Sequence, residues 1–322
     1  MSSWVACRAS PSLALLKYWG KQEAGDNLPA TPSLAVTLGG LYTDTSVRLA
    51  EKDSVVVGGT PQDPGRYERF LECLRSRLEV SHRFEASSVN SFPTAAGLAS
   101  SSSGFAALAA ACARAAGREV PREGLSAIAR IGSVSAARSV FGGFVLLPAG
   151  AHSARQVFDA SHWPDLRIVA AVTRRGSKPV SSRDAMRETS GRSPFYRDWV
   201  LHSQALLPEA LQALEKRDLE KLGDVVRASY SMMHAVMLAS RPPILYWLPA
   251  TLAVIRACGE LRARGVGAWE TVDAGPQVKI LCTVQDAEPV ARHMRESVPG
   301  TETILCFPGD GVQPTSAAES TS

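Results

Sequence analysis

The chain has 322 residues, 45% of them hydrophobic and 20% charged, the profile of a soluble globular protein long enough for two lobes or one large α/β domain. Its 35 basic against 31 acidic residues leave a net charge of only +4, with no arginine/lysine stripe interleaved with aromatics, which removes nucleic acid as an expected partner. No apolar run nears the roughly 18 to 20 residues of a membrane span, no charged-then-apolar leader opens the chain, and six scattered cysteines without a C-x-x-C pair predict buried free thiols in a reducing cytoplasm and no zinc site.

In chain order, alternating or β-branched runs predict strands at Trp4 to Arg8, Leu34 to Leu38, Thr43 to Ala50 and Arg83 to Val89, with turns at Gly39-Gly40 and Gly58-Gly59. Tyr67 to Leu78 reads as a helix with Phe70, Cys73, Leu74 and Leu78 on one face. An alanine-rich helix to about Ala116 is apolar nearly all round and belongs in the middle of its lobe. A helix from Arg122 through Ala129 and a strand at Phe144 to Leu147 complete an α+β first half. The second half opens with a strand at Leu166 to Val172. Helices follow around Phe195 to Leu214, Leu219 to Leu238 and Ile244 to Arg264, then strands at Val278 to Val284 and Thr303 to Phe307. The lobe boundary is expected between Pro148 and Pro164, dividing the chain into residues 1–160 and 161–310, and the small polar residues 311–322 read as a frayed tail.

Three segments carry chemistry. Pro93-Thr94-Ala95-Ala96-Gly97-Leu98-Ala99 leads into Ser100, Ser101, Ser102 and Ser103 at the start of the alanine-rich helix. A flexible turn, hydroxyl donors and unpaired N–H groups at a helix N-terminus favour an anion, although the run alone is equally an ordinary serine cap on a buried helix. A G-x-x-x-x-G-K-[ST] loop is absent. Lys17-Tyr18-Trp19-Gly20-Lys21 sets two cations four residues apart with a phenol between them, fit for a polyphosphate or a phosphate plus a carboxylate; it also reads as a solvated surface turn. Asp273 precedes Ala274-Gly275-Pro276, a sequence that forms turns readily. Taken together, a phosphate loop, a lysine turn and an isolated aspartate are the parts of a phosphoryl-transfer site.

These segments, with Gly132-Ser133-Val134-Ser135-Ala136-Ala137-Arg138-Ser139 and Val180-Ser181-Ser182-Arg183, resemble in order and spacing the signatures of the diphosphomevalonate decarboxylase family, within the superfamily of galactokinase, homoserine kinase, mevalonate kinase and phosphomevalonate kinase. The resemblance spans about residues 4 to 312. It implies two α+β lobes with the active site in the cleft between them. It implies ATP as co-substrate, Mg²⁺, mevalonate diphosphate as substrate and a homodimer. By the same resemblance Asp273 is the catalytic carboxylate with Lys17 beside it, and Arg138 grips the C1 carboxylate. Tyr18, Lys21, Ser133, Ser135, Ser182 and Arg183 surround the diphosphate. Asn90, Gly97, Ala99, Ser100 and Ser101 belong to the ATP site.

The chain departs from the family pattern at Ser12 and Thr31, where asparagine is common, at Gln277, which replaces the asparagine after Asp-Ala-Gly-Pro, and at Ser102 and Ser103, positions often held by alanine. His234 matches a helix position often occupied by histidine, read here as packing or hydrogen bonding. Two other readings share the fold: a relative that uses mevalonate monophosphate or stops at 3-phosphorylation, and a non-catalytic metabolite sensor. Retention of Asp273 and Lys17 argues against the plain kinase, and retention of Asp273 against the sensor.

Overall fold

The computed structural model describes residues 3–22, 27–92, 100–174, 176 and 180–316. Strand alternation organises the first part of the chain, with β1 (Val5–Ala9), β2 (Ser12–Ala14), β3 (Ser33–Gly39) and β4 (Thr43–Ala50). In β4 the buried Thr43, Thr45 and Val47 alternate with the half-exposed Asp44, Ser46 and Arg48, the pattern of a sheet with one covered face. After β5 (Ser54–Val57) and β6 (Thr60–Pro61), helix α1 (Pro64–Leu78) starts at a proline capped by the Asp63 side chain and buries Tyr67, Phe70, Leu71, Leu74 and Leu78. Beyond β7 (Arg83–Asn90), α2 (Ser100–Ala115) is buried from Phe105 through Ala113, as its all-round apolar sequence requires. It lies against β1 and β4 on one side and α3 (Arg122–Gly132) and α4 (Ala136–Ser139) on the other. A Cβ on Gly132 would fall 2.1 Å from the Phe105 ring, so only glycine lets α3 end this close to α2. Strands β8 (Phe144–Leu147) and β9 (Arg155–Phe158) follow.

The second half comprises β10 (Leu166–Val172), α5 (Ser182–Arg192), α6 (Tyr196–Glu215), α7 (Leu219–Leu238), α8 (Pro249–Ala263), β11 (Trp269–Val272), β12 (Val278–Thr283), α9 (Ala287–Ser297), β13 (Glu302–Pro308) and β14 (Gln313–Thr315). Two sheets result. One runs β14-β1-β4-β7-β5-β6; the other runs β11-β12-β10-β13-β3-β8-β9, with β2 paired to β3.

The expected break near residue 160 is therefore not a break between sheets, because β3, β8 and β9 from the first half extend the sheet built by β10 to β13. The seam is Phe307 opposite Gly39 and Pro308 opposite Leu38. The expected tail is also corrected in part. Gln313–Thr315 pairs antiparallel with β1, Thr315 facing Ala6 and Gln313 facing Arg8; backbone hydrogen bonding to an open sheet edge orders a stretch with little apolar side chain of its own. The helix expected from Ile244 begins only at Pro249. Pro249 lacks the amide donor that a helix begun at Ile244 would need there and disfavours helical backbone at Leu248, which is extended, whereas Pro249 is tolerated as the first helical residue. All six cysteines are free, five of them buried and Cys73 half-buried.

Candidate active site

Strands β11 and β12 form a hairpin whose turn holds Asp273. Gly275 N–H donates to the Asp273 carbonyl (2.8 Å) and Thr251 Oγ1 of α8 donates to the Pro276 carbonyl (2.7 Å). Gln277, fully buried, accepts from Thr173 N–H (2.7 Å) and donates to the Arg174 carbonyl, tying the turn to the end of β10. The aspartate side chain is left for other work. Its Oδ1 accepts from Lys17 Nζ at 2.5 Å and its Oδ2 from Lys279 Nζ at 3.0 Å. Crowding by neighbouring atoms disfavours the charge, but the two ammonium groups outweigh it and hold Asp273 well below the usual carboxylate range. Both lysines are buried, whereas the Asp273 side chain remains 32% exposed and so faces an open space.

Lys17 arrives from the segment after β2, where its N–H donates to Ser229 Oγ of α7 (2.9 Å) and its ammonium also donates to the Ala14 carbonyl (2.9 Å). Burial pushes its pKa down to about 8 against the pull of Asp273. The solvated-turn reading of Lys17 to Lys21 is thereby overturned. Trp19 explains why: its ring sits in an apolar cluster with Met186, Trp199, Met233 and Met237, and Trp199 Nε1 donates to the Trp19 carbonyl (2.9 Å), so the lysine turn is stapled onto α5, α6 and α7. Gly20 has φ +102, and a Cβ there would meet Tyr196 Oη at 1.9 Å.

Around this turn the predicted substrate residues gather. Lys21 Nζ donates to Asn27 Oδ1 (2.5 Å), and Asn27 Nδ2 donates to the Ile131 carbonyl (2.6 Å) near the end of α3, which ties Lys21 to that helix; just beyond it the hydroxyls of Ser133 and Ser135 are 3.1 Å apart. Burial and the positive charges of Arg183 and Arg69 push Lys21 down to about 8. Tyr18 Oη is buried without a hydrogen-bond partner among the described residues, and the charges acting on it from Arg138, Arg183 and Arg130 are all positive. Ser181 caps α5, its Oγ accepting from Asp184 N–H (3.1 Å), which leaves Ser182 and Arg183 as the first helical residues. Arg138 on α4 is buried; Nη1 donates to Ser33 Oγ (2.7 Å), while Nε has no partner among the described residues. Burial pushes its guanidinium down to about 10, although Asp273 nearby favours the charge. A buried guanidinium with an unused N–H, beside an orphaned phenol, is a site prepared for an anion.

Of the residues expected on the nucleotide side, three are described. Ser100 and Ser101 open α2, and Asn90 at the end of β7 accepts from Thr43 Oγ1 (2.6 Å). Gly97 and Ala99 lie outside the described residues. The two serines that depart from the family pattern point inward: Ser103 bonds Thr43 Oγ1 (2.6 Å), and Ser102 accepts from Ser12 N–H (3.4 Å). They bind α2 to β4 and β2, leaving Ser100 and Ser101 toward solvent. Among the described residues no three His, Cys, Asp or Glu side chains come together as a metal cage. Mg²⁺ does not need one. It keeps waters and takes phosphate oxygens, and the hydroxyls of Ser100 and Ser101 at the mouth of α2 are hard donors of the kind it accepts.

Sequence reasoning did not single out Lys279, Tyr196 or Ser193; the last two each bury a hydroxyl without a partner among the described residues, and Tyr196 touches the lysine turn. Lys279 had a signal in the strand register, since β11 and β12 pair Thr271 with Lys279, placing it diagonal to Asp273. His234 of α7 is buried and held neutral, its pKa pushed down to about 4 by burial and by Lys17, and it accepts from Trp247 Nε1 (3.3 Å). That is the hydrogen-bonding role expected of it. Two open cavities of about 510 and 700 Å³ flank β9, and none of these residues lines them.

Residues 9–158 match the diphosphomevalonate decarboxylase-like N-terminal domain, and residues 168–321 match the mevalonate 5-diphosphate decarboxylase C-terminal domain. The diphosphomevalonate decarboxylase of Aspergillus fumigatus is 34% identical, the alignment covering 91% of this chain and 80% of that protein. The chain belongs to the diphosphomevalonate decarboxylase family. The human family member is 33% identical over 96% of this chain and 84% of its own length. The crystal structure of mevalonate diphosphate decarboxylase from Staphylococcus aureus superposes with a TM-score of 0.92 at 32% identity, covering 98% of this chain and 99% of the other. A solved relative in complex with MVAPP, AMPPCP and magnesium gives a TM-score of 0.89 at 34% identity, covering 97% of this chain and 98% of the other.

Proposed function

We propose that the protein catalyses ATP-dependent decarboxylation of mevalonate 5-diphosphate to isopentenyl diphosphate, releasing ADP, phosphate and CO₂ through transient phosphorylation of the C3 hydroxyl. The observation that carries this reading is the anionic Asp273, fixed between two buried lysines and facing the open space near the unfilled N–H of Arg138. Asp273 orients the tertiary hydroxyl for attack on the γ-phosphoryl group. Held so far toward its ionised form it is a weak base, so the proton passes to it only as the oxygen gives up electron density in a loose transition state. Arg138 holds the C1 carboxylate until it leaves, and Tyr18, Lys21, Ser133, Ser135, Ser182 and Arg183 hold the diphosphate. Ser100 and Ser101, with Asn90, Gly97 and Ala99, make the nucleotide side, where bound Mg²⁺ neutralises phosphate charge. Residues 1–160 act as the nucleotide lobe and 161–310 as its partner lobe, in a cytoplasmic homodimer.

Purified protein supplied with ATP and mevalonate diphosphate is expected to form ADP and CO₂ one for one. ADP without CO₂ would make it a kinase, and a higher kcat/KM on the monophosphate would confine the assignment to the superfamily.

The two lysines with pKa near 8 set the alkaline side of the rate profile. Each is charged below that value and neutral above it, so kcat/KM falls as pH rises through about 8, with a limiting slope of about two because two groups titrate together. Lys21→Arg keeps its charge and reduces the slope to about one. In kcat the Lys21 contribution disappears from wild type as well, because bound diphosphate keeps that ammonium charged. An unchanged slope in Lys21→Arg would remove Lys21 from the diphosphate site.

A further inference from the structure

A lysine on a central strand is costly unless it is paired. Lys279 lies in β12 between the fully buried Val278 and Ile280, and stability alone would be served as well by an apolar side chain of similar volume. Its ammonium reaches Asp273 Oδ2 at 3.0 Å while Lys17, from a distant part of the chain, holds Oδ1 at 2.5 Å. A carboxylate has about four lone-pair directions and a broad, poorly determined torsion about its last bond. Held at one oxygen only, it can swing. Held at both, by cations from two separate elements, its plane is fixed and its remaining lone pairs point to the exposed side.

We propose that Lys279 is a positioning residue for the reaction, the second jaw of a clamp that fixes the plane of the Asp273 carboxylate toward the hydroxyl to be phosphorylated. This rests on the assignment of Asp273 as the group facing that hydroxyl. Among the described residues the groups bearing on the carboxylate come from three elements and one connecting segment: Lys279 on β12, Arg138 on α4, His234 on α7 and Lys17 after β2. Three are cations, and His234 is neutral near pH 7. Lys279 also presses on its opposite number, since its positive charge is one of the influences that lower the pKa of Lys17. Removing it therefore changes two titrations in the same direction: Asp273 rises toward the ordinary aspartate value, and Lys17 rises from about 8.

The test compares wild type with Lys279→Met, which fills the buried volume without charge, and Lys279→Gln, which keeps an N–H donor without charge. The reading of Asp273 is checked first, by wild-type formation of ADP and CO₂; if that fails, the functional assignment has failed independently of Lys279. With wild type active, Lys279→Met is expected to lose at least about tenfold in kcat with KM for mevalonate diphosphate within about threefold, since a misplacement of about 1 Å in a reacting group can cost a hundredfold. Both limbs of the kcat profile, recorded at saturating substrates, are expected to move to higher pH. Lys279→Gln shifts the limbs equally and loses less kcat, and it decides the matter should the Met variant be insoluble. Wild-type kcat in either folded variant, or a fall in kcat with both limbs unmoved, overturns the proposal, the second outcome marking Lys279 as structural.

Discussion

Asp273→Asn is expected to stay folded, to bind ATP and mevalonate diphosphate, and to lose about a hundredfold or more in kcat, the scale associated with a group that manages a proton in the transition state. Asparagine makes the same side-chain to backbone bonds in a turn, and the Asp273 turn is already held by Thr251 and Gln277, so the hairpin does not depend on the carboxylate. The charge is another matter. Without the anion, Lys17 loses the partner that opposes its burial and still faces the positive charge of Lys279, so its pKa falls further and it sheds its proton. A lysine whose folded pKa lies below its unfolded value binds fewer protons in the native state, so stability rises with pH. The variant is therefore expected to melt furthest below wild type in mild acid and to recover toward pH 9. ADP and CO₂ should fall in step, because decarboxylation waits on departure of the new phosphate. A soluble variant retaining more than about a tenth of normal turnover would return Asp273 to a turn former.

Much of the site was legible before the fold was known, for a reason that differs from one residue to the next. Lys17 and Asp273 stood out through the family resemblance of their segments, since read locally the lysine turn suits solvent and Asp-Ala-Gly-Pro suits an ordinary turn. Lys279 did not, because its role depends on which strand pairs with which and in what register, and a lone lysine in an apolar strand has no local mark of that. Tyr196 was hidden for a similar reason, since only tertiary packing brings the start of α6 against Gly20. Ser102 and Ser103 looked like further phosphate donors by position in the run, yet helical periodicity turns them inward, toward β2 and β4. Among the elements, Thr43–Ala50 and Leu219–Leu238 were read to the residue, where period and capping agree. The strand at Gln313–Thr315 was missed because main-chain pairing with β1 forms it. The division expected near residue 160 is not a division of the sheet, since β3 and β8 lie beside β13 in one continuous sheet.

Arg138 offers the widest separation between function and stability. Its guanidinium is buried, one nitrogen spent on Ser33 and the Nε hydrogen unspent, and burial lowers its pKa to about 10, so the folded state tolerates this charge at a cost. If the Nε hydrogen is meant for the C1 carboxylate, Arg138→Met should lower kcat/KM by at least about thirtyfold, the loss of about 2 kcal/mol or more typical of truncating one partner of a buried charge pair, with KM for mevalonate diphosphate raised as well. Arg138→Lys keeps a charge but loses the planar fork, and it should recover only a fraction of the loss. Thermal stability should move the other way. Methionine removes a desolvated cation from a buried place and leaves Ser33 Oγ with one bond fewer, so the melting temperature should equal or exceed that of wild type. A structural arginine would behave in reverse, with the melting temperature falling several degrees and the kinetics of the surviving folded protein intact. That pattern would take the carboxylate away from Arg138 and leave Asp273 and its two lysines as the whole of the recognisable chemistry.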